Sequence, residues 1–74
     1  MKFRVNVSVP PDWRGCKYHD AFNSRDEYLH LWITENTRTG LFRADMPNNS
    51  IGEWGTWDEA VRALSVAHVV RRLS

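Results

Sequence analysis

Cysteine is nearly missing from this chain. Cys16 stands alone among 74 residues. No disulfide can form within the chain, so a small core or a partner must supply the stability. A lone thiol suits a reducing compartment, and a cytoplasmic protein is expected. No apolar run approaches the roughly 20 residues that cross a bilayer, so no membrane association is expected. Met1-Lys2 leads into alternating residues rather than an apolar stretch, so no secretory leader is expected. The Asn-x-Ser triplets at Asn6 and Asn48 are accordingly not expected to carry glycans.

An excess of either charge is also lacking: ten Lys/Arg face nine Asp/Glu. A duplex-DNA binder carries a larger basic excess, and an acidic nucleic-acid mimic carries the reverse. Neither class is favoured. A composition of 42% hydrophobic and 26% charged residues is that of a folded domain rather than a disordered tail. The length points to one domain, residues 1–74, with a limited core.

Tryptophan is what the chain has in quantity, with Trp13, Trp32, Trp54 and Trp57. A small core needs bulky side chains, so burial of at least two is expected. The remaining one or two are expected as exposed binding anchors, because tryptophan is enriched in interface hot spots.

Residues 2–9 alternate strictly and predict a half-buried strand. Phe3, Val5, Val7 and Val9 share one face; Lys2, Arg4, Asn6 and Ser8 share the other. Pro10-Pro11 ends it. Residues 10–26 mix breakers, aromatics and charges. They read as a functional loop, or as one with a short helical turn near His19–Asn23. Residues 27–35 read as a strand in preference to a helix capped by Ser24 and Glu27. The deciding feature is the following Asn36-Thr37-Arg38-Thr39-Gly40, a good hairpin loop, and the returning strand 41–46 with Phe42, Ala44 and Met46 on one face. Pro47-Asn48-Asn49-Ser50 predicts a turn, followed by a short extended piece near Ile51–Trp54.

A helix closes the chain. Thr56 and Glu59 form a capping box, Asp58 and Glu59 suit its N-terminus, and His68, Arg71 and Arg72 suit its C-terminus. At about 100° per residue, an apolar stripe runs through Trp57, Ala60, Val61, Leu64, Ala67 and Val70, with Ala63 beside it. Val66, Val69 and Leu73 fall outside the stripe, so the apolar surface is wider than one sheet contact needs. Cover by the 10–26 segment, or by a partner or symmetry mate, would account for them.

The expected fold class is α+β. A three-stranded antiparallel sheet, four-stranded if Ile51–Trp54 joins it, carries one C-terminal helix packed on one face, in the order β-β-β-α. The open face then displays Lys2, Arg4, Asn6, Ser8, Tyr28, His30, Trp32, Thr34, Leu41, Arg43 and Asp45. Aromatics interleaved with arginines can stack bases of a single strand or anchor a protein. They can also simply stabilise the sheet as cross-strand pairs.

Catalytic and metal-binding patterns are sparse. Cys16-x-x-His19 offers one ligand pair where a structural zinc site uses four ligands. Nothing around Cys16 supplies an oxyanion hole or an orienting acid. Gly52-Glu53-Trp54-Gly55 lacks the lysine and spacing of a phosphate loop. No enzyme activity, metal or cofactor is expected.

Met46-Pro47 followed by Gly55-Thr56-Trp57-Asp58-Glu59-Ala60 resembles the strand-to-helix junction of HicB-type antitoxin domains. The match covers a small part of the chain, and no function is transferred on it. The expectation is a non-enzymatic protein-binding module that occludes or bridges a larger partner. Its candidate contact residues are Arg4, Tyr28, His30, Trp32, Arg43, Val66 and Val69. Small phage or mobile-element inhibitors, anti-CRISPR proteins among them, share its size class by analogy only. A homodimer would use the same helix valines. The alternatives are a single-stranded nucleic-acid binder working through Arg4, Tyr28, Trp32 and Arg43, and an antitoxin-like regulator with a cognate toxin.

Overall fold

A computed structural model describes residues 3–73. Lys2 and the Leu73 side chain, both placed above from the sequence, lie outside the described part. Five strands and one helix follow in order. They are β1 (Phe3–Val5), β2 (Cys16–Asn23), β3 (Tyr28–Asn36), β4 (Leu41–Met46), β5 (Asn49–Trp54) and α1 (Trp57–Leu73). The strands form one antiparallel meander in the order β1-β2-β3-β4-β5. The fold is α+β, with five strands where the sequence predicts three or four.

The extra strand is β2, which replaces the expected loop or helical turn near His19–Asn23. Its alternation is inverted. His19 and Ala21 point to the helix side and are buried, while Tyr18 and Phe22 lie on the register rows of the opposite face. A strand that buries its small and polar residues hides its period. β1 is shorter than the predicted 2–9. Its last pairing bond, from the Asn6 amide to the Asp20 carbonyl (3.0 Å), precedes an exposed Val7. The chain leaves the sheet there, on its way to Pro10-Pro11.

The two later hairpins follow their turn chemistry. Gly40 takes φ 76°, and the Asn36 carboxamide accepts the amides of Arg38 and Thr39. Asn48 takes φ 66° after Pro47, so Met46 pairs with Asn49 across a tight turn. In β3 the register passes from Asp20–Trp32 to Phe22–Tyr28, and His30 (φ 56°) sits in the resulting bulge.

Ala21, Leu31, Ile33 and Ala44 from the sheet meet Ala60 and Leu64 from α1 in the core. Alanines on both sides let the helix approach β3, β4 and β5 closely. The α1 N-terminus is capped as predicted. The Glu59 amide donates to Thr56 Oγ1 (3.3 Å), whose hydroxyl donates to the Glu59 carboxylate (2.8 Å). Further along, the buried face differs from the predicted stripe. His68 is buried at 6% exposure, whereas Val70 is 58% exposed. The stripe runs through Trp57, Ala60, Val61, Leu64 and His68, and the Phe3 ring lies 6.1 Å from that of His68.

Gly52 is where β5 needs glycine for space. A Cβ there would sit 2.6 Å from the Trp54 indole, which lies across it. Gly52→Ala is expected to push the indole aside, costing about 1–3 kcal/mol. A lowered thermal midpoint with altered tryptophan fluorescence checks this, and an unchanged midpoint contradicts it.

Candidate functional site

The sheet and helix present three separate surfaces. On the open sheet face, the sequence-predicted residues fall into two clusters. Arg4 lies 4.7 Å over the Phe22 ring, which faces Tyr28 at 5.7 Å, and Tyr28 faces His30 at 4.8 Å. Trp32, Thr34 and Arg43 sit nearer the sheet centre, around the buried Asp45. Arginine there is already engaged. Arg4 pairs with Asp26 (2.8 Å) and donates to Asn6 (3.0 Å). Arg43 donates to both Asp45 carboxylate oxygens (2.9 and 3.1 Å), and Thr34 donates to the same group (2.6 Å). Asp20 and Asp45 flank Trp32 in register. Burial first, then the Asp20 charge, raises the Tyr28 phenol above its ordinary value. This face therefore holds its positive charges against carboxylates.

Behind it, His19 is a structural group. Strand alternation puts Cys16 and His19 on opposite faces, so the Cys-x-x-His pair does not converge. The His19 ring packs edge-on to Trp57 at 4.8 Å. Its Nδ1 meets the Asn6 carbonyl (2.8 Å) and its Nε2 meets the Glu35 carboxylate (3.0 Å). Both partners are oxygen acceptors, so the ring is fastened from two sides. Among the described residues, no group of three or more potential metal ligands is assembled. No described helix is long and apolar enough to cross a membrane.

The second surface is a shallow groove of about 500 Å³ between α1 and β5. Ile51 and Trp54 form one wall; Ala63, Val66, Ala67 and Val70 form the other. Glu59 and Arg62 also line it, bringing charges of both signs. Val66 is 58% exposed. Val69 is 43% exposed but is not part of the groove wall, and Val70 takes that place. The segment 10–26, the alternative cover for these valines, is instead occupied with β2 and its turn on the other side of the sheet order.

The third surface is one residue. Trp13 is 86% exposed at the tip of a tight turn, a location its featureless surroundings concealed in the sequence. The turn is heavily braced. Asp12 accepts the amides of Arg14 and Cys16 (both 2.9 Å) and the Tyr18 hydroxyl (3.0 Å). Gly15, at φ 81°, closes it, and its carbonyl accepts from Thr37. The Cys16 amide is the main cause holding Asp12 below its usual carboxylate range. The sequence signal for this turn is the Asp-x-x-Gly spacing, an Asx-type brace.

Fold and surfaces together define a small antiparallel-meander α+β domain with an apolar helix–strand groove. Compared with known proteins, the chain matches no family model, no curated protein and no solved structure.

Two titrations give the expected acid response. Burial, then the charges of Arg71 and Arg72, hold His68 below its ordinary 6.5. Unfolding restores the ordinary value, so the unfolded chain binds the proton more tightly and stability falls as pH drops below 6.5. Denaturant midpoints are expected to show this slope in the parent protein and a smaller one in His68→Leu. An equal slope in both contradicts the assignment. Asp12 acts lower: its contribution is present above 3.8 and is lost as pH falls further. Asp12→Ala is expected to speed amide exchange at Arg14 and Cys16 while leaving β3 and β4 protected, and unchanged exchange at Arg14 and Cys16 would contradict the brace.

Proposed function

We propose that this protein is a non-enzymatic binding module that takes an extended segment of a partner protein along the outer edge of β5. The observation that carries this reading is the apolar groove lying directly beside a terminal strand. β5 ends the sheet, and no described strand lies beyond it. An added strand would sit about 4.8 Å away and direct alternate side chains to the helix side. Those side chains would meet Ile51, Trp54, Val66 and Val70. Main-chain bonds then supply affinity, and the groove supplies selectivity for apolar residues at every second position.

The arginines of the open face support a protein partner over a nucleic acid. Arg4 and Arg43 already face Asp26 and Asp45, and phosphate contact would have to displace those carboxylates. The paired charges instead suit a face that stabilises the sheet.

The test is retention from a lysate of the source cells, with low- and high-salt washes and nuclease-treated arms, run on three variants beside the parent. The expected result is one discrete protein that survives high salt and nuclease, is retained by Trp32→Ala and is lost from Val66→Asp and Val70→Asp. Placing a carboxylate in the contact is expected to weaken it at least about tenfold, given the ~1.5–3 kcal/mol of a buried valine. Retained material that nuclease removes, or that Trp32→Ala alone abolishes, moves the reading to the nucleic-acid face. Retention of the chain's own second copy, checked by sedimentation, identifies the added strand as β5 of another molecule.

A further inference from the structure

A strand added beside β5 meets two different surfaces, because its side chains alternate across the sheet. Toward the helix lie Ile51, Trp54, Val66 and Val70. Glu59 and Arg62 line that side too, but they stand three residues apart on α1 with opposite signs, and the Glu59 carboxylate accepts from the Thr56 hydroxyl (2.8 Å). The groove itself therefore has no net sign. Any choice by charge has to come from the other surface.

Toward the open face, the charged residue of β5 is Glu53. It ends a cross-strand row that runs through Tyr18, Thr34, Arg43 and Glu53, from β2 to β5. Its neighbours Gly52 and Trp54 pair with Ala44 and Phe42, which belong to the core side. Glu53 therefore points away from the helix, at the margin where an added strand would lie.

The arginines near it are already matched. Arg14, Arg43 and Glu53 all line one small cleft of about 160 Å³ on this face. Arg14 pairs with Asp12 (3.5 Å), and Arg43 donates from Nε to both Asp45 oxygens (2.9 and 3.1 Å). Two aspartates thus answer two arginines, and Glu53 is the charge left over. It is exposed and makes no hydrogen bond or ion pair among the described residues. An added strand would set one residue directly opposite it, with the two Cβ atoms about 5 Å apart. A cation there is attracted, and a carboxylate is repelled. Arg43, one strand further in, is matched by Asp45 and does little to oppose the cation.

We infer that Glu53 selects the partner segment by charge, so that the strand taken by β5 carries a lysine or arginine opposite Glu53 and apolar residues on either side of it. The inference rests on the reading of β5 as a docking edge. The two apolar neighbours enter the groove and supply affinity, while the cation stays on the open face and sets register. A pair on that exposed side contributes about twofold to fivefold in affinity, and a carboxylate at the same place loses a similar factor.

The test is selection of a phage-displayed library of random short peptides on the immobilised full chain, beside Glu53→Lys, Glu53→Gln and Val66→Asp. The parent is expected to enrich peptides with apolar residues at alternate positions and a lysine or arginine between two of them. Glu53→Gln is expected to lose the preference for a cation, and Glu53→Lys to replace it with one for aspartate or glutamate. A lysine-bearing peptide from the parent selection, titrated by fluorescence anisotropy at low salt, is expected to bind Glu53→Lys about fivefold more weakly, with the gap closing as salt is added. Glu53 is exposed and unpaired, so both of its variants are expected to keep the parent's thermal midpoint. Alternating apolar peptides with no preferred sign, or with a sign that Glu53→Lys leaves unchanged, overturn the inference and leave the docking edge standing. No enrichment at all, or enrichment that Val66→Asp retains, overturns the docking edge and the inference with it.

Discussion

One helix has to cover a sheet that is wider than itself, and most of the molecule follows from that mismatch. Five strands spaced ~4.8 Å apart span ~19 Å, while a helix with its side chains is ~10 Å across. α1 settles over β3, β4 and β5, with its N-terminal Trp57 reaching back to the His19 and Phe42 rings. The close approach depends on Ala21, Ala44 and Ala60, which keep helix and sheet near each other. What the helix cannot cover appears at the margins. Val7 stands exposed beyond β1, and the wall of Ile51 and Trp54 remains open beside Val66 and Val70.

The same mismatch explains where polar groups are buried. Toward β2 the cover is an indole rather than a helix face, and the residue beneath it is His19, fastened to Asn6 and Glu35. Toward the far end of α1 the residue turned inward is His68, with the Phe3 ring beside it. The open face solves its own problem within the sheet. Asp45 is buried there because Thr34 and Arg43 satisfy it from adjacent strand positions. A buried charge with each oxygen occupied is tolerated where an unpaired one would not be.

Local chemistry made part of this legible in the sequence. Gly40, the Pro47-Asn48 pair and the Thr56–Glu59 box each act within a few residues, and each appears where the sequence places it. The strand at 27–35 followed from its hairpin. Long-range effects were hidden. β2 buries His19 and Ala21 while Tyr18 and Phe22 face outward, so its period carried no hydrophobic signal. The exchange of Val70 for His68 on the buried face depends on what lies beneath the end of α1, including Phe3, which no helical wheel contains. Of the candidate site, Val66 was readable from helix geometry. Ile51 and Trp54, its neighbours in the groove, were not, because only the β4–β5 hairpin brings them there. Trp13 and its Asp12 brace were lost in a stretch with no periodic pattern, although the four residues from Asp12 to Gly15 carry a recognisable turn spacing.

The central claim is that the uncovered strip between β5 and α1 is a contact for another protein chain. Photocrosslinking from single positions tests it most directly, with a photoreactive residue at position 66 or 70 in one pair of samples and at position 32 in another. The account predicts a discrete protein adduct from positions 66 and 70 and none from position 32. Adducts confined to position 32 would contradict it, and the open sheet face would then be the working surface.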